Sequence, residues 1–156
     1  MKALGRTVLL FLGVLAVSLV LIGSVQAKAS SVSCHAINAK GVGQDNGDGT
    51  TDVQVIGGGL LHGTTHGSFV ATGVTGSVVS IAGTVVFTVN RATLTVSVTG
   101  TLDVSNGAFT ATGPVTAATG RLAGATGSLV LSGVENLSDG TFVETITGDI
   151  CVDLSP

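Results

Sequence analysis

Aromatic and charged residues are scarce in this chain of 156 residues. It contains no Trp and no Tyr, only 5 Phe, and charged residues make up 10% of it, against roughly 25% in ordinary soluble domains. The shortage of charge excludes a charge-rich disordered tail and a coiled coil. The 2 Cys are too few for a disulfide-dense miniprotein, and the length excludes a large multidomain enzyme.

The N-terminal segment has the features of a secretory signal peptide. Lys2 and Arg6 flank the start of an apolar run over 7–25, which ends in Val25-Gln26-Ala27, with small side chains where a signal peptidase cuts. An uncleaved membrane anchor is the alternative, because the run approaches the roughly 20 residues that span a bilayer. The sequence therefore predicts a signal peptide over 1–27, cleavage after Ala27, and a secreted or periplasmic protein without stable membrane insertion.

The remaining chain is acidic. Four cationic residues stand against nine carboxylates after residue 27, a formal charge of −5. Because the chain has no basic cluster, phosphate backbones would repel it. Four Phe without Tyr or Trp also leave few surfaces on which bases could stack. We therefore expect no nucleic-acid partner, and nothing in the sequence indicates a cofactor.

The two cysteines, Cys34 and Cys151, stand near the two ends of the chain that follows the leader. Export to an oxidising compartment makes a disulfide the expected state. A bridge that closes so long a loop contributes at most about 4–5 kcal/mol in the chain-entropy model. The alternative is two independent thiols.

Apolar and polar residues alternate with a period of two from Asp52 onward, which is typical of half-buried strands. The clearest alternation runs over 93–104, where β-branched Thr occupies the polar face. The segment 79–89 alternates in the same way, and Asn90-Arg91 between them predicts a tight hairpin turn, because Asn tolerates positive φ. Weaker patterns predict strands over 53–60, 64–73, 107–112, 115–119, 127–134 and 141–152.

About eight strands separated by short glycine-containing turns predict either a sandwich or a closed antiparallel barrel. Gly83 and Gly100 lie within strands and favour the barrel, because strong curvature needs kinks and bulges. Closure would make the first and last strands neighbours and bring the two cysteines within reach. We predict an all-β fold, a closed antiparallel barrel of about eight strands over 53–156, preceded by an arm or loop over 28–52.

A family resemblance points to the same architecture. The segment 118–133, ATGRLAGATGSLVLSG, resembles the GGTGRFAGATG segment of allene oxide cyclase-like and dirigent-like β-barrel proteins, with Ala118 in place of the first Gly and Leu122 in place of the aromatic residue. Small exported bacterial members often end as this chain does, with GTF at 140–142 leading into ITG at 146–148. The similarity extends over about residues 60–152.

The resemblance implies an eight-stranded barrel with a central cavity. Plant relatives cyclise an unsaturated fatty-acid epoxide or direct the coupling of phenolic radicals, and they are commonly trimers or dimers, so a homo-oligomer is compatible with it. The functional side chains of those relatives do not map onto this chain, which lacks Tyr altogether. The activity is therefore not carried over.

One carboxylate stands out as a candidate catalytic residue. Glu144 falls on the apolar face of the last predicted strand, together with Phe142 and Ile146. If that face points inward, Glu144 is the sole carboxylate in an apolar interior, and burial would raise its pKa, as a general acid or base requires. A bulge near Gly140, or a position at a wet barrel mouth, is the alternative.

Arg121, within the resembling segment, is the candidate ligand-binding cation. It could hold the head group of an anionic ligand. We prefer the interpretation that Arg121 pairs across strands with Asp103 or Asp149, so the ligand-binding residues stay unknown.

Two patterns raise the question of a metal site. Asn46, Asp48, Thr50 and Asp52 occupy alternate positions, as oxygen ligands do in a calcium loop, although the bidentate Glu of that loop is missing. We prefer a solvated turn as the interpretation of these residues, so no metal site is predicted and calcium binding is the alternative.

The second pattern is the pair His62 and His66. On a strand they would lie about 13 Å apart, too far to share a zinc ion. We interpret them as surface residues.

No catalytic triad, phosphate loop or carboxylate pair is visible. We therefore expect an exported non-catalytic barrel that binds a small apolar ligand or serves as an envelope or extracellular component. The alternative is a cyclase or isomerase that acts on a lipid-like or phenolic substrate inside the barrel, where confinement would supply much of the catalysis. A solidly packed lumen would argue against both ligand hypotheses.

Overall fold

The computed structural model describes residues 31–155, which form eight antiparallel strands closed into a barrel. Each strand pairs with its neighbours in the chain, and the last pairs with the first. The strands are β1 (Ser33–Asp45), β2 (Thr50–Gly57), β3 (Gly63–Thr75), β4 (Val78–Val89), β5 (Ala92–Asp103), β6 (Ala108–Ala118), β7 (Thr126–Glu135) and β8 (Thr141–Val152). The predicted all-β closed barrel is confirmed, while the predicted signal peptide over 1–27 lies outside the described residues.

Two short 3₁₀ helices, Gly59–Leu61 and Gly120–Leu122, interrupt the connections between strands. In the part of the chain that the structure describes, neither helix is long and apolar enough to cross a membrane.

The predicted hairpin is present as β4 and β5. Its two turn residues, Asn90 and Arg91, have φ angles of 47° and 67°. Positive φ at both central positions is the geometry of a type I′ turn, whose twist matches that of the flanking strands. The register pairs Val89 with Ala92 directly across this turn.

The predicted arm over 28–52 is wrong for most of its length, because this segment supplies all of β1 and the start of β2. Two inward positions of β1 are Gly41 and Gly43. Because glycine has no side chain, the alternation of apolar and polar residues that would predict a strand is not visible there. A Cβ at Gly41 would stand 2.7 Å from the side chains of Glu144 and Val53. The space beside these glycines is therefore filled by neighbouring side chains, and both glycines belong to the barrel interior.

The two strands predicted over 107–112 and 115–119 form one strand, β6. The sequence suggests a break at Gly113-Pro114, but Pro114 pairs in register with Ser128 of β7. On the other side of β6, the register with β5 shifts between Thr95 and Val96. Such an irregularity accommodates a proline, which cannot donate a backbone hydrogen bond.

The barrel has two unlike ends. The closed end is the one at which β1 begins and β8 finishes, and the two 3₁₀ helices cover it. Its interior is filled by large side chains that are at most 2% exposed: Leu61, Val89, Leu94, Leu122, Ile150 and Val152. The mouth is the opposite end, formed by the β1–β2, β3–β4, β5–β6 and β7–β8 turns. The inward side chains near its rim, among them Phe69, Leu102 and Phe109, are only partly buried.

A disulfide joins Cys34 of β1 to Cys151 of β8 at the closed end, as predicted. The two residues are direct partners in the β1–β8 register. The bond therefore fastens the seam at which the last strand meets the first, and a disulfide is consistent with an oxidising compartment. Next to this seam the hydroxyls of Ser31 and Ser155 lie 3.5 Å apart, so the two ends of the described chain are neighbours.

Candidate functional site

A cavity of about 120 Å³ occupies the mouth half of the barrel. Its walls are mainly apolar and include three of the four phenylalanines among the described residues. The rings of Phe109 and Phe142 meet edge to face, with centroids 5.5 Å apart. The main apolar lining residues are Val53, Phe69, Val85, Phe109, Leu131 and Phe142.

Small residues shape this part of the interior. The inward residue Ala111 of β6 lies in the cavity wall and leaves space there. The inward positions Gly41 and Gly43 of β1 are covered by neighbouring side chains, and a Cβ at Gly43 would come within 2.5 Å of the Phe142 ring. The glycines of β1 therefore make room for Glu144 and Phe142 in the wall.

Glu144 lies in the wall of this cavity, at an inward position of β8 between Phe142 and Ile146. Its partners across the two neighbouring ladders are both glycines, Gly41 of β1 and Gly133 of β7. A side chain at Gly41 would collide with the carboxyl group of Glu144. Gly41 thus provides the room in which the Glu144 side chain can lie within the barrel, while Gly133 makes room for the Phe109 ring.

The Glu144 side chain is buried, with 6% of its surface exposed. Its Oε1 atom has no hydrogen-bond partner among the described residues. Burial raises the pKa of Glu144 to about 7, because desolvation disfavours the charged form. A carboxyl group with such a pKa can hold or release a proton near neutral pH, or can pair with a donor that enters the cavity. The inward position follows from the alternation of β8, and a catalytic role stays a prediction.

Two further carboxylates lie at the rim of the mouth, where they are only partly buried, while Glu144 is the one buried carboxylate among the described residues. Asp45 ends β1 and Glu135 ends β7, and both line the cavity. Burial, and then the charge of Asp45, raise the pKa of Glu135. The entrance is therefore acidic.

Sequence reasoning missed Asp45 and Glu135. Asp45 falls in the segment interpreted as an arm. Glu135 lies one residue beyond the strand predicted over 127–134. The alternation of side chains along each strand was a usable signal. Gly41, Gly43 and Asp45 are each two residues apart, so they lie on the same face of β1, and closure of the barrel puts that face inside.

The calcium candidates form a hydrogen-bonded turn between β1 and β2. The Asn46 amide donates to Thr50 Oγ1 at 3.0 Å and to Asp52 Oδ2 at 3.1 Å. Asp48 Oδ1 accepts from the backbone and hydroxyl of Thr50, and these bonds lower the pKa of Asp48. Across residues 31–155 no group of three or more His, Cys, Asp or Glu side chains is arranged to hold a metal.

The two histidines are exposed on the outside of the barrel, as interpreted from the sequence. His66 Nδ1 lies 2.9 Å from Asp52 Oδ1, so that the carboxylate partner of His66 is also a member of the β1–β2 turn. Hydrogen bonds from His66 and Asn46 lower the pKa of Asp52.

Arg121 is exposed in the 3₁₀ helix Gly120–Leu122 at the closed end. The cavity opens at the other end, so Arg121 is not among its lining residues. Pairing with Asp103 is also wrong, because Asp103 ends β5 at the mouth and accepts hydrogen bonds from Ser105. The structure therefore does not bring Arg121 together with Glu144.

Comparison with known proteins gives no match to a family model, to a curated protein or to a solved structure. The likeness to allene oxide cyclase-like and dirigent-like proteins accordingly remains a hypothesis, which the observed eight-stranded barrel leaves open.

Proposed function

We propose that this protein is an exported, non-catalytic β-barrel that binds a small apolar ligand at its mouth. The observation that carries the proposal is the apolar cavity of about 120 Å³ in a barrel that is otherwise solidly packed. An engineered protein cavity of about 150 Å³ with similar walls binds benzene. A one-ring molecule is therefore the size of ligand that this cavity suits.

The persistence of the cavity supports a binding role over a purely structural one. A longer side chain at Ala111, which lies in the wall, would fill it. A protein that serves only as an envelope component has no need to keep the space.

Titration with toluene tests the proposal, with methyl NMR chemical shifts as the readout. We expect saturable shifts at Val53, Val85 and Leu131 in the cavity wall and none at Val89 or Val152 in the closed end. The matched control is Ala111→Leu, which fills the cavity and should abolish the shifts. Toluene that produces no saturable shift, or shifts that persist in the filled variant, would overturn the proposal.

Export is part of this proposal and has its own test. The leader-like segment over 1–27 and the Cys34–Cys151 disulfide both support it. Mass spectrometry of protein recovered outside the cytoplasm should give a chain that starts at Lys28, and thiol alkylation should require a reductant. A retained N-terminal segment would instead indicate the membrane-anchor alternative.

A second candidate, a cyclase or isomerase, is favoured by one observation: the carboxyl group of Glu144 in an apolar cavity, with a pKa of about 7. In that case the cavity would fold a lipid-like or phenolic substrate around a general acid or base. Glu144→Gln separates the two candidates, because it should abolish turnover of such a substrate while toluene still binds. Turnover that survives this change would exclude Glu144 as the catalytic residue.

A further inference from the structure

The charges around the cavity are of one sign. Asp45 and Glu135 stand at its entrance and Glu144 lies deeper, and none of the lining residues within the described chain is Lys, Arg or His. A site whose charged walls are all acidic attracts cations and repels anions, and walls of low dielectric strengthen the effect. The charge pattern alone therefore argues against a fatty-acid carboxylate as ligand.

The deep carboxyl group provides a second, independent indication. Glu144 is more than nine-tenths buried and lines the cavity, and its Oε1 atom has no hydrogen-bond partner among the described residues. A buried carboxyl group with an unpartnered oxygen is costly, and a ligand that donates a hydrogen bond to the carboxyl group reduces that cost. A charged donor gains more than a neutral one, because hydrogen bonds between ions are shorter and stronger.

The remaining walls suit a ring that carries such a donor. Phe69, Phe109 and Phe142 provide aromatic surfaces near the carboxyl group, and aromatic faces also attract cations. The site is thus a ring-sized apolar pocket with one buried carboxyl group, that of Glu144, and two carboxylates at its entrance.

We infer that the ligand is a one-ring molecule with a protonated amine, whose nitrogen pairs with the Glu144 carboxylate while its ring occupies the space between Phe109, Phe142 and Val53. This inference rests on the proposed ligand-binding function and names its chemical class. The amine would reach the carboxyl group past Asp45 and Glu135.

The pairing makes binding depend on pH. The other titratable groups that face Glu144 are Asp45 from β1 and Glu135 from β7, while β2 and β3 present Val53 and Thr65. Glu144 must lose its proton to pair with an ammonium group, and burial holds that proton up to about pH 7. Amine affinity should therefore rise between pH 5 and pH 8, while the affinity for an uncharged ring should not.

Four ring compounds of similar size test the inference: benzylamine, benzyl alcohol, toluene and benzoate, each titrated by NMR at pH 8. We expect benzylamine to bind about 10- to 100-fold more tightly than toluene, the gain typical of a hydrogen bond to a charged group. Benzoate should bind most weakly. In Glu144→Gln, benzylamine should fall to the level of benzyl alcohol, while toluene affinity stays unchanged.

The matched control is Asp149→Asn, which removes one carboxylate from the exposed outer face of the same strand. It should keep the preference for benzylamine, and an equal loss in this variant would overturn the role of Glu144. A second measurement needs no variant: in the unaltered protein the preference should shrink at least tenfold from pH 8 to pH 5. A constant preference would also overturn the inference.

The outcomes also separate this inference from the function on which it rests. Toluene binding without any preference for the amine would refute the ligand class and leave the ligand-binding function intact. Failure of all four compounds to bind would refute the binding function itself.

Discussion

The two ends of the barrel are built from the same eight strands but differ in what their inward positions carry. At the closed end these positions hold Leu94, Ile150 and Val152, which are at most 1% exposed. At the mouth they include Ala111 and the partly buried Leu102, both of which line the cavity. The difference indicates a division of labour in which the closed end supplies stability and the mouth is free to carry a carboxyl group at an energetic cost.

The largest expected effect concerns the covalent seam at the closed end. Replacing both Cys34 and Cys151 by Ser should lower the free energy of unfolding by about 4 kcal/mol, because the unfolded chain regains the entropy of a long open loop. Urea denaturation measures the loss. Toluene binding at the mouth should persist in the folded fraction, and a change below about 1 kcal/mol would contradict the assignment of stability to this end.

Two leucine truncations compare the ends directly. Leu122→Ala at the closed end should cost about 3–4 kcal/mol, because it removes a fully buried side chain and leaves a void. Leu102→Ala at the mouth should cost about 1–2 kcal/mol, since Leu102 is only partly buried beside an existing cavity. Denaturant midpoints at constant slope give both values, and equal losses would erase the distinction.

The Glu144 carboxyl group should make the folded state less stable as pH rises. The pKa of Glu144 is about 7 in the folded chain, against the ordinary value of 4.5, so the folded state holds the proton more tightly than the unfolded state. The Glu144 contribution to stability is then fully present below about pH 4.5 and lost as pH rises through 7, by about 3 kcal/mol in total. Glu144→Gln should remove this fall, as unfolding curves at pH 5 and pH 8 will test.

The smallest expected effect comes from adding side-chain volume at each end of the barrel. Ala111→Leu at the mouth should be neutral or stabilise the fold by about 1 kcal/mol, because the cavity receives the new atoms. Ala92→Leu at the closed end should destabilise it by about 1–3 kcal/mol, because Ala92 is 1% exposed in a filled interior. Thermal unfolding ranks the two variants, and the reverse order would refute the packing contrast.

The same contrast explains which parts of the molecule could be predicted from the sequence. The closed end and the β4–β5 hairpin have a strong alternation of Val, Leu and Thr, and the hairpin and the last strand lie close to their predicted positions. The mouth is built partly from Gly41 and Gly43, which carry no hydropathy signal, so β1 was missed there. Their place in the interior depends on neighbours that lie more than 90 residues away in the chain.

The candidate site divides in a similar way. The inward position of Glu144 follows from the parity of its own strand, so it could be predicted. Asp45 and Glu135 lie near Glu144 only because β1, β7 and β8 meet at one rim. The cavity depends on the combined volume of many side chains. Arg121 was placed near the ligand only through the resembling segment, and the topology puts that segment at the other end.

The nearness of Ser31 to Ser155 at the closed end has a practical consequence for how the barrel can be presented. A tether attached next to Ser31 or Ser155 would leave from the face opposite the acidic rim. Barrels immobilised through that tether on a bead or a sensor chip would all point their openings toward the solution. One attachment chemistry would then serve both binding assays and affinity enrichment without obstructing the entrance.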